Sequence, residues 1–342
     1  VLSYNKARMM LVLEPGEVIG SLLYLTAFLL IVVLATAIFF SRIFATSIIA
    51  PINQFEHAMD RVEGGDFSAF VPVDTNDELG ALAEHFNQMT EGLKERYRLQ
   101  RSLDLAKEVQ QNLLPREDPV VEGLDVAGRS IYCDETGGDY FDYLSGSEWG
   151  QTKFGILIGD VSGHGIPSAL LMATARAFMR QRSSLSGSMA EVVSDVNRQL
   201  TRDVEDTGRF MTLFYLVIDT SAQNMSWVRA GHDPAIWYDP DTDQFEELHG
   251  DGIALGVNET HQFVQYQKSG LKEGQILLLS TDGLWETQNP AGSMFGKDRI
   301  CEIIRREANT SAREILDAIV LELESFRKDL EPEDDITLVV IK

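Results

Sequence analysis

From Val18 to Ser41 no residue carries a charge, and Leu22–Phe40 is almost wholly apolar. At about 1.5 Å per residue, a helix over this run crosses the ~30 Å hydrocarbon core of a bilayer. A secretory signal has a shorter apolar core and a small-residue cleavage site. A buried core helix is the alternative, and the length without polar interruption favours a membrane span over residues 18–41. Lys6 and Arg8 precede the run and Arg42 follows it, so basic residues alone orient it poorly. The chain opens on Val1; the expectation is that residues 1–17 end a longer, extracytoplasmic region.

After the span, residues 42–95 carry two apolar seams. Ile48, Ile52, Phe55, Met59 and Val62 form the first, and Leu79, Leu82, Phe86, Met89 and Leu93 the second, each in alternating steps of four and three. Such seams call for partner helices. Gly64-Gly65-Asp66 ends the first helix, and Asp77-Glu78 places negative charge at the start of the second. With Pro51 in the first helix and Asp77-Glu78-Leu79-Gly80 opening the second, the segment resembles a HAMP linker. The resemblance implies a parallel four-helix bundle and hence a homodimer; an antiparallel hairpin is the plain alternative. A third seam, Leu99, Leu103, Ala106, Gln110 and Leu113, occupies residues 96–116 as a coiled-coil linker ended by Pro115. Its phase does not continue from Leu93. Two readings fit: a slip that locally rewinds the coil, or a helix break near Gly92.

The remaining residues, 117–342, hold four aspartate-centred motifs: Gly137-Gly138-Asp139, Gly159-Asp160-Val161-Ser162-Gly163-His164-Gly165, Ser280-Thr281-Asp282-Gly283 and Asp334-Asp335-Ile336-Thr337. Apolar runs at Phe154–Ile158, Gln275–Leu279 and Ile336–Ile341 put three of them at strand ends. Carboxylates gathered there would repel one another unless a hard, oxygen-loving cation such as Mg²⁺ or Mn²⁺ compensates them. That is the chemistry of metal-assisted hydrolysis at phosphorus. Further strands are predicted at Leu124–Arg129, Thr212–Ile218, Asn224–Ala230 and Ala235–Tyr238. Helices are predicted at Pro167–Arg182, Met189–Asp203, Lys297–Glu307 and Ala312–Lys328. Strands grouped in pairs around long helices point to an α+β layered fold. A net charge of −24 argues against a nucleic-acid ligand. Cys133 and Cys301 are too few for a disulfide framework or a thiolate site, which suits a cytoplasmic catalytic part.

The order of the motifs resembles the metal-dependent protein phosphatases (PPM, type 2C fold), in their SpoIIE/RsbU-like branch. Gln111-Asn112-Leu113-Leu114-Pro115, Gly231-His232 before Pro234-Ala235, and Leu255-Gly256 extend the match over residues 105–342. The resemblance implies an αββα sandwich, a binuclear Mn²⁺ or Mg²⁺ centre that activates water, and phosphoserine or phosphothreonine protein substrates, typically of the anti-anti-sigma (STAS) type. It also implies roles. Asp160 bridges the ions, the Val161 carbonyl completes one shell, and Asp139 and Asp282 contribute directly or through water. Asp334 is the preferred ligand of the terminal pair, with Asp335 beside it. Asp160 and Asp139 are the catalytic pair, and Leu99, Leu103, Ala106 and Leu113 the regulatory linker. His164 lies four residues after Asp160, whereas eukaryotic members place a histidine two after, so an acid role and a helix-start role both stay open. His232 reads as a packed histidine. The phosphate-binding arginine of eukaryotic members has no counterpart beyond Arg129.

Gly137-Gly138-Asp139-Tyr140-Phe141 also looks like the signature of diguanylate cyclases, but only a short stretch separates it from the linker helix, and the other motifs would go unexplained. No histidine follows residue 85 on the linker coil, against a histidine kinase. The expected protein is a membrane-tethered, dimeric phosphatase with a cytoplasmic catalytic domain. A non-catalytic scaffold of the same fold and a small-molecule phosphatase are the rivals.

Overall fold

The computed structural model describes residues 15–133, 136–145 and 152–342, and the chain divides into two compact units, Val1–Arg101 and Ser102–Lys342. Most of the upstream region expected at 1–17, and Asp134 and Glu135, lie outside the described residues.

In the first unit, α1 (Pro15–Phe44) runs through a π-helical turn, Ala45–Ile49, into α2 (Ala50–Glu63). The window from Ile19 is long and apolar enough to cross a membrane, and none of it is buried. Pro51 has no N–H to donate, and its ring presses on the carbonyl one turn back. The wider π turn falls just ahead of it, where that conflict arises. The Gly64-Gly65-Asp66 stop is a Schellman closure: Gly65 takes φ +85°, Gly65 N donates to Val62 O, and Asp66 N to Arg61 O.

Helix α3 (Glu78–Gln111) then starts under a cap from Asp77, whose Oδ1 accepts the N–H groups of Leu79 and Gly80 at 3.1 and 3.2 Å. Glycine is required at position 80, because a Cβ there would lie 1.9 Å from the Thr75 carbonyl oxygen. The connector is pinned by the Asn87 amide, which accepts from Val71 N (2.9 Å) and donates to Val71 O (2.8 Å). Phe55 and Phe86 pack edge to face at 5.9 Å within a small core that includes Ala58, Ala69, Val71 and Ala83. Four other seam residues are open: Ile52, Met59, Leu82 and Met89 are all at least half exposed.

Of the two readings of the phase slip, the break at Gly92 is not found, since α3 passes through it unbroken. The third seam needs correction at its end. The helix stops at Gln111, Leu113 lies in the turn beyond it, and Leu113 N closes on Gln110 O at 2.9 Å. Gln110, placed on the seam from its spacing, is buried within the second unit. Leu99 and Ala106 remain exposed, and Leu103 is half-buried.

The second unit is a four-layer sandwich. One sheet has the order β1 (Val126–Ile131), β10 (Ile336–Ile341), β9 (Ile276–Ser280), β6 (Ala235–Asp239), β7 (Gln244–Leu248). The other runs β2 (Tyr140–Leu144), β3 (Lys153–Val161), β4 (Met211–Asp219), β5 (Asn224–Ala230), β8 (Gln265–Ser269). All neighbours are antiparallel. Strand alternation explains the continuous apolar runs, because both faces are covered. On β10, Val339 and Ile341 enter the core between the sheets, while Ile336, Leu338 and Val340 face α7 (Lys297–Arg306) and α8 (Ala312–Arg327). The second sheet is covered by α4 (Ile166–Ser183) and α5 (Met189–Val204), through residues such as Met172, Met179, Val196 and Leu200. A four-residue helix, α6 (Gly283–Glu286), follows β9.

The strands absent from the sequence prediction, β2, β7 and β8, are all sheet edges. An edge strand keeps polar residues on its open side, which weakens the apolar signal. In β2 the polar residue is instead fully buried. Asp142 is 0% exposed and receives Arg180 through two 2.6 Å bonds, with Arg176 at 3.5 Å and the Tyr140 hydroxyl at 3.1 Å. This cluster locks α4 onto β2. Removing Arg180 leaves a buried carboxylate short of its bidentate partner, so Arg180→Ala should cost about 3 kcal/mol, read as a lower melting temperature of the second unit by calorimetry.

Candidate metal centre

Strand pairing brings the four motifs together. Tyr140 of β2 stands opposite Gly159 of β3, so Asp139, just before β2, lies beside Asp160, near the end of β3. On the other sheet, Ser280 of β9 pairs with Leu338 of β10. Thr281 and Asp282 therefore emerge next to Asp334 and Asp335, and Thr281 N donates to Thr337 O at 3.0 Å. Two contacts join the sheets at this end. The Thr281 hydroxyl donates to Asp139 Oδ2 at 2.8 Å, and Gly138 N donates to Asp335 Oδ2 at 2.8 Å.

Gly137, Gly138 and Gly283 are spatial necessities. A Cβ on Gly138 would fall 2.7 Å from the Val161 carbonyl oxygen and 3.3 Å from Asp160 Oδ1. One on Gly137 would meet Asp335 Oδ2 at 2.1 Å, and one on Gly283 would meet the Asp335 carbonyl oxygen at 2.1 Å. The first and third motifs thus let backbone close on a carboxylate or a carbonyl.

The terminal aspartates part company. Asp335 is 3% exposed, and both its oxygens are taken by main chain: Oδ1 by Cys133 N at 3.0 Å, Oδ2 by Gly138 N. It holds the loop that carries Asp139. Asp334 stands at the mouth, and its Oδ1 accepts Asp335 N at 2.8 Å.

Electrostatics here are those of an uncompensated acidic site. Burial, then the charges of Asp160 and Asp335, push the Asp139 carboxyl well above its ordinary range. Burial, then Asp282, Asp334 and Asp335, push Asp160 up to about 8. Burial and Asp334 raise Asp282, and burial raises Asp334. Among the described residues, no lysine or arginine forms an ion pair with any of these five aspartates. Nor do three acidic, His or Cys side chains among the described residues form a closed ligand shell. The fit to divalent cations rests instead on clustered carboxylates without a basic partner beside the Val161 carbonyl, an all-oxygen donor set suited to Mg²⁺ or Mn²⁺.

Other residues singled out from sequence fall around the site. His164 is exposed, and its charge draws the Asp334 carboxyl down slightly against the effect of burial. His232 is 3% exposed, bonds Thr212 Oγ1 through Nδ1 at 2.8 Å, and is held down to about 4, chiefly by burial. Arg129 is not at the site; it pairs with Asp317 at 3.0 Å on the α8 side of β1. Sequence reasoning missed Thr281 and Thr337, whose hydroxyls orient Asp139, although both lie inside quoted motifs.

A carboxylate raised on folding destabilises the native state once it must ionise. Above pH ~4 the unfolded chain has released the proton that native Asp160 keeps until about pH 8. Metal-free protein should therefore lose melting temperature as pH rises from 5 to 9. Asp160→Asn should flatten that decline in differential scanning fluorimetry; an unchanged slope would contradict the coupling.

A family model described as stage II sporulation protein E (SpoIIE) matches residues 150–342, and one for the HAMP domain matches 43–95. The phosphoserine phosphatase RsbU of Bacillus subtilis (strain 168) is 28% identical over 262 residues, covering 77% of this chain and 75% of RsbU. The phosphoserine phosphatase RsbP of the same organism is 28% identical over 246 residues, covering 70% of this chain and 57% of RsbP. The SiaA-PP2C domain of Pseudomonas aeruginosa shares the fold with a TM-score of 0.63 at 22% identity, covering 72% of this chain and 98% of that domain. With its four-layer sandwich and the motifs gathered at one end, the chain belongs to the SpoIIE family of PP2C-type phosphatase domains, here preceded by a HAMP domain and an apolar helix.

Proposed function

We propose that this protein is a membrane-tethered, metal-dependent protein phosphatase that hydrolyses phosphoserine or phosphothreonine on a partner protein of the STAS type. The observation that carries this is the set of mutually repelling aspartates, Asp139 and Asp160 buried among them, gathered at one end of the sandwich with no lysine or arginine ion pair among the described residues. The phosphoserine phosphatase activity in the names of RsbU and RsbP supports the substrate class.

Asp139, Asp160, Asp282 and Asp334, with the Val161 carbonyl, would hold two ions. When bound, Mn²⁺ or Mg²⁺ supplies Lewis-acid charge and an activated water for attack at phosphorus. Asp160, whose carboxyl feels Asp282, Asp334 and Asp335 together, is the central ligand. Thr281 fixes the rotamer of Asp139. Asp335 acts as the clamp on the Gly138 loop in place of the ligand role assigned to it from sequence. Asp334 and His164, both exposed, form the rim that meets substrate. Attack by an activated water needs no covalent phosphoenzyme, which fits a sequence without a Cys-x5-Arg nucleophile motif.

The chain from Val1 to Lys342 in lipid nanodiscs should release phosphate from a phosphoserine STAS-type protein only with Mn²⁺ or Mg²⁺. Asp160→Asn should lower kcat at least ~100-fold, since even residues behind the ligands cost 10–100-fold. Metal-independent turnover, or none under any divalent ion, would reject the proposal, and the latter would favour a binding scaffold.

The HAMP domain and the exposed linker face extend the proposal to regulation. Ile52, Met59, Leu82 and Met89, open in the single chain, suit the four-helix core of a dimer. Leu99, Leu103 and Ala106 form a further apolar seam along α3, out of phase with the one that ends at Leu93, with the catalytic domain on the cytoplasmic side. Leu103→Glu with Ala106→Glu should abolish dimer cross-linking through α3 and uncouple turnover from signals upstream. Retained cross-linking with wild-type regulation would remove the linker from the mechanism.

A further inference from the structure

Gln110 belongs to none of the four aspartate motifs, yet it is 5% exposed, while Val109 beside it is 57% exposed and Gln111 is open to solvent. Its side chain is turned into the phosphatase unit. Nε2 donates to Gly137 O at 2.5 Å, and Gly137 N donates to Oε1 at 3.2 Å. We propose that Gln110 is a positioning residue of the metal centre: its amide fixes Gly137 and, through Gly138, sets Asp139 against the Asp160–Val161 end of β3. The inference rests on the metal-dependent function proposed above.

The chain of contacts is short and has little slack. A carboxamide offers one face of donor and acceptor matching a peptide group, so it pairs with Gly137 as a neighbouring strand would. The next peptide is held too, since Gly138 N donates to Asp335 Oδ2 at 2.8 Å. Gly138 O then accepts Val161 N at 3.3 Å, and the missing Cβ of Gly138 leaves room for the Val161 carbonyl and Asp160 Oδ1. Gly137 cannot retreat, since the space beside its Cα is filled by Asp335 Oδ2 and the Tyr132 ring. The two bonds of the Gln110 amide therefore pass a shift of this side chain to the Gly137–Asp139 segment.

Gln110 is also one residue from the end of α3, where Leu113 N returns to Gln110 O at 2.9 Å. The helix ends where this side chain leaves it. Glutamate would keep an acceptor for Gly137 N but lose the donor to Gly137 O and add negative charge near Asp139 and Asp335. Alanine would leave two buried backbone groups unpaired.

The test uses the same chain in nanodiscs carrying Gln110→Ala, Gln110→Glu or, as the exposed neighbour, Gln111→Ala. Amide hydrogen exchange is measured without metal, and Mn²⁺ affinity by titration. Gln110→Ala and Gln110→Glu should speed exchange over 136–139 while peptides elsewhere in the sandwich keep wild-type rates. They should also weaken Mn²⁺ binding ~10-fold, the scale of residues that orient metal ligands; Gln111→Ala should do neither. Wild-type exchange and affinity in both Gln110 variants would overturn the inference, as would faster exchange across the whole sandwich, which marks a general loss of stability. If the wild-type protein binds no Mn²⁺, the proposed function fails first and this inference with it.

Discussion

Mutual repulsion among buried carboxylates is the constraint on which the phosphatase unit turns. Asp139 and Asp160 lie side by side at the end of one sheet, and Asp282, Asp334 and Asp335 at the adjoining end of the other. The fold keeps them there at an electrostatic cost, visible in the raised carboxyl of Asp160. Both apolar faces of the central strands, the capped helices α5 and α8, and the core between the sheets supply the rigidity that holds like charges together. A site arranged in this way suits hard divalent cations, whose charge would offset that repulsion.

Around this acidic centre, backbone is held by side chains that imitate backbone. The Gln110 amide pairs with Gly137, and the Asp335 carboxylate takes Gly138 N and Cys133 N. In the first unit the Asn87 amide does the same for Val71 in the connector. In each case an irregular segment lacks strand neighbours, and its polar groups must find partners when buried. Glycines at 80, 137, 138 and 283 make these approaches sterically possible. The clamps and the glycines are two halves of one solution.

The buried ion cluster at Asp142 serves the same end from behind. It ties β2 to α4, the helix that leaves directly from the loop after Asp160. The loops of two motifs are thus anchored by a shared salt link and by strand pairing, while the mouth residues Asp334 and His164 stay exposed.

Much of this was legible in the chain itself. The uncharged run, the helix start at Asp77-Glu78 and the buried strands β3, β5, β9 and β10 are local patterns, and local patterns survive translation into structure because periodicity and capping act within a few residues. The four aspartate motifs were likewise visible as types of residue in types of turn. Other features depended on tertiary structure. Edge strands β2, β7 and β8 take their order from neighbours across the sheet, so their own residues signal weakly. Whether Asp334 or Asp335 faces the centre depends on which main-chain N–H groups lie nearby, and Cys133 and Gly138 are some two hundred residues away. Gln110 fits a coiled-coil seam by spacing alone; only the position of Gly137 in space turns it inward. The sequence determined which groups were available and in what local geometry, and the packing of the two sheets decided which of them meet, because contacts at long range are set by the fold and not by spacing along the chain.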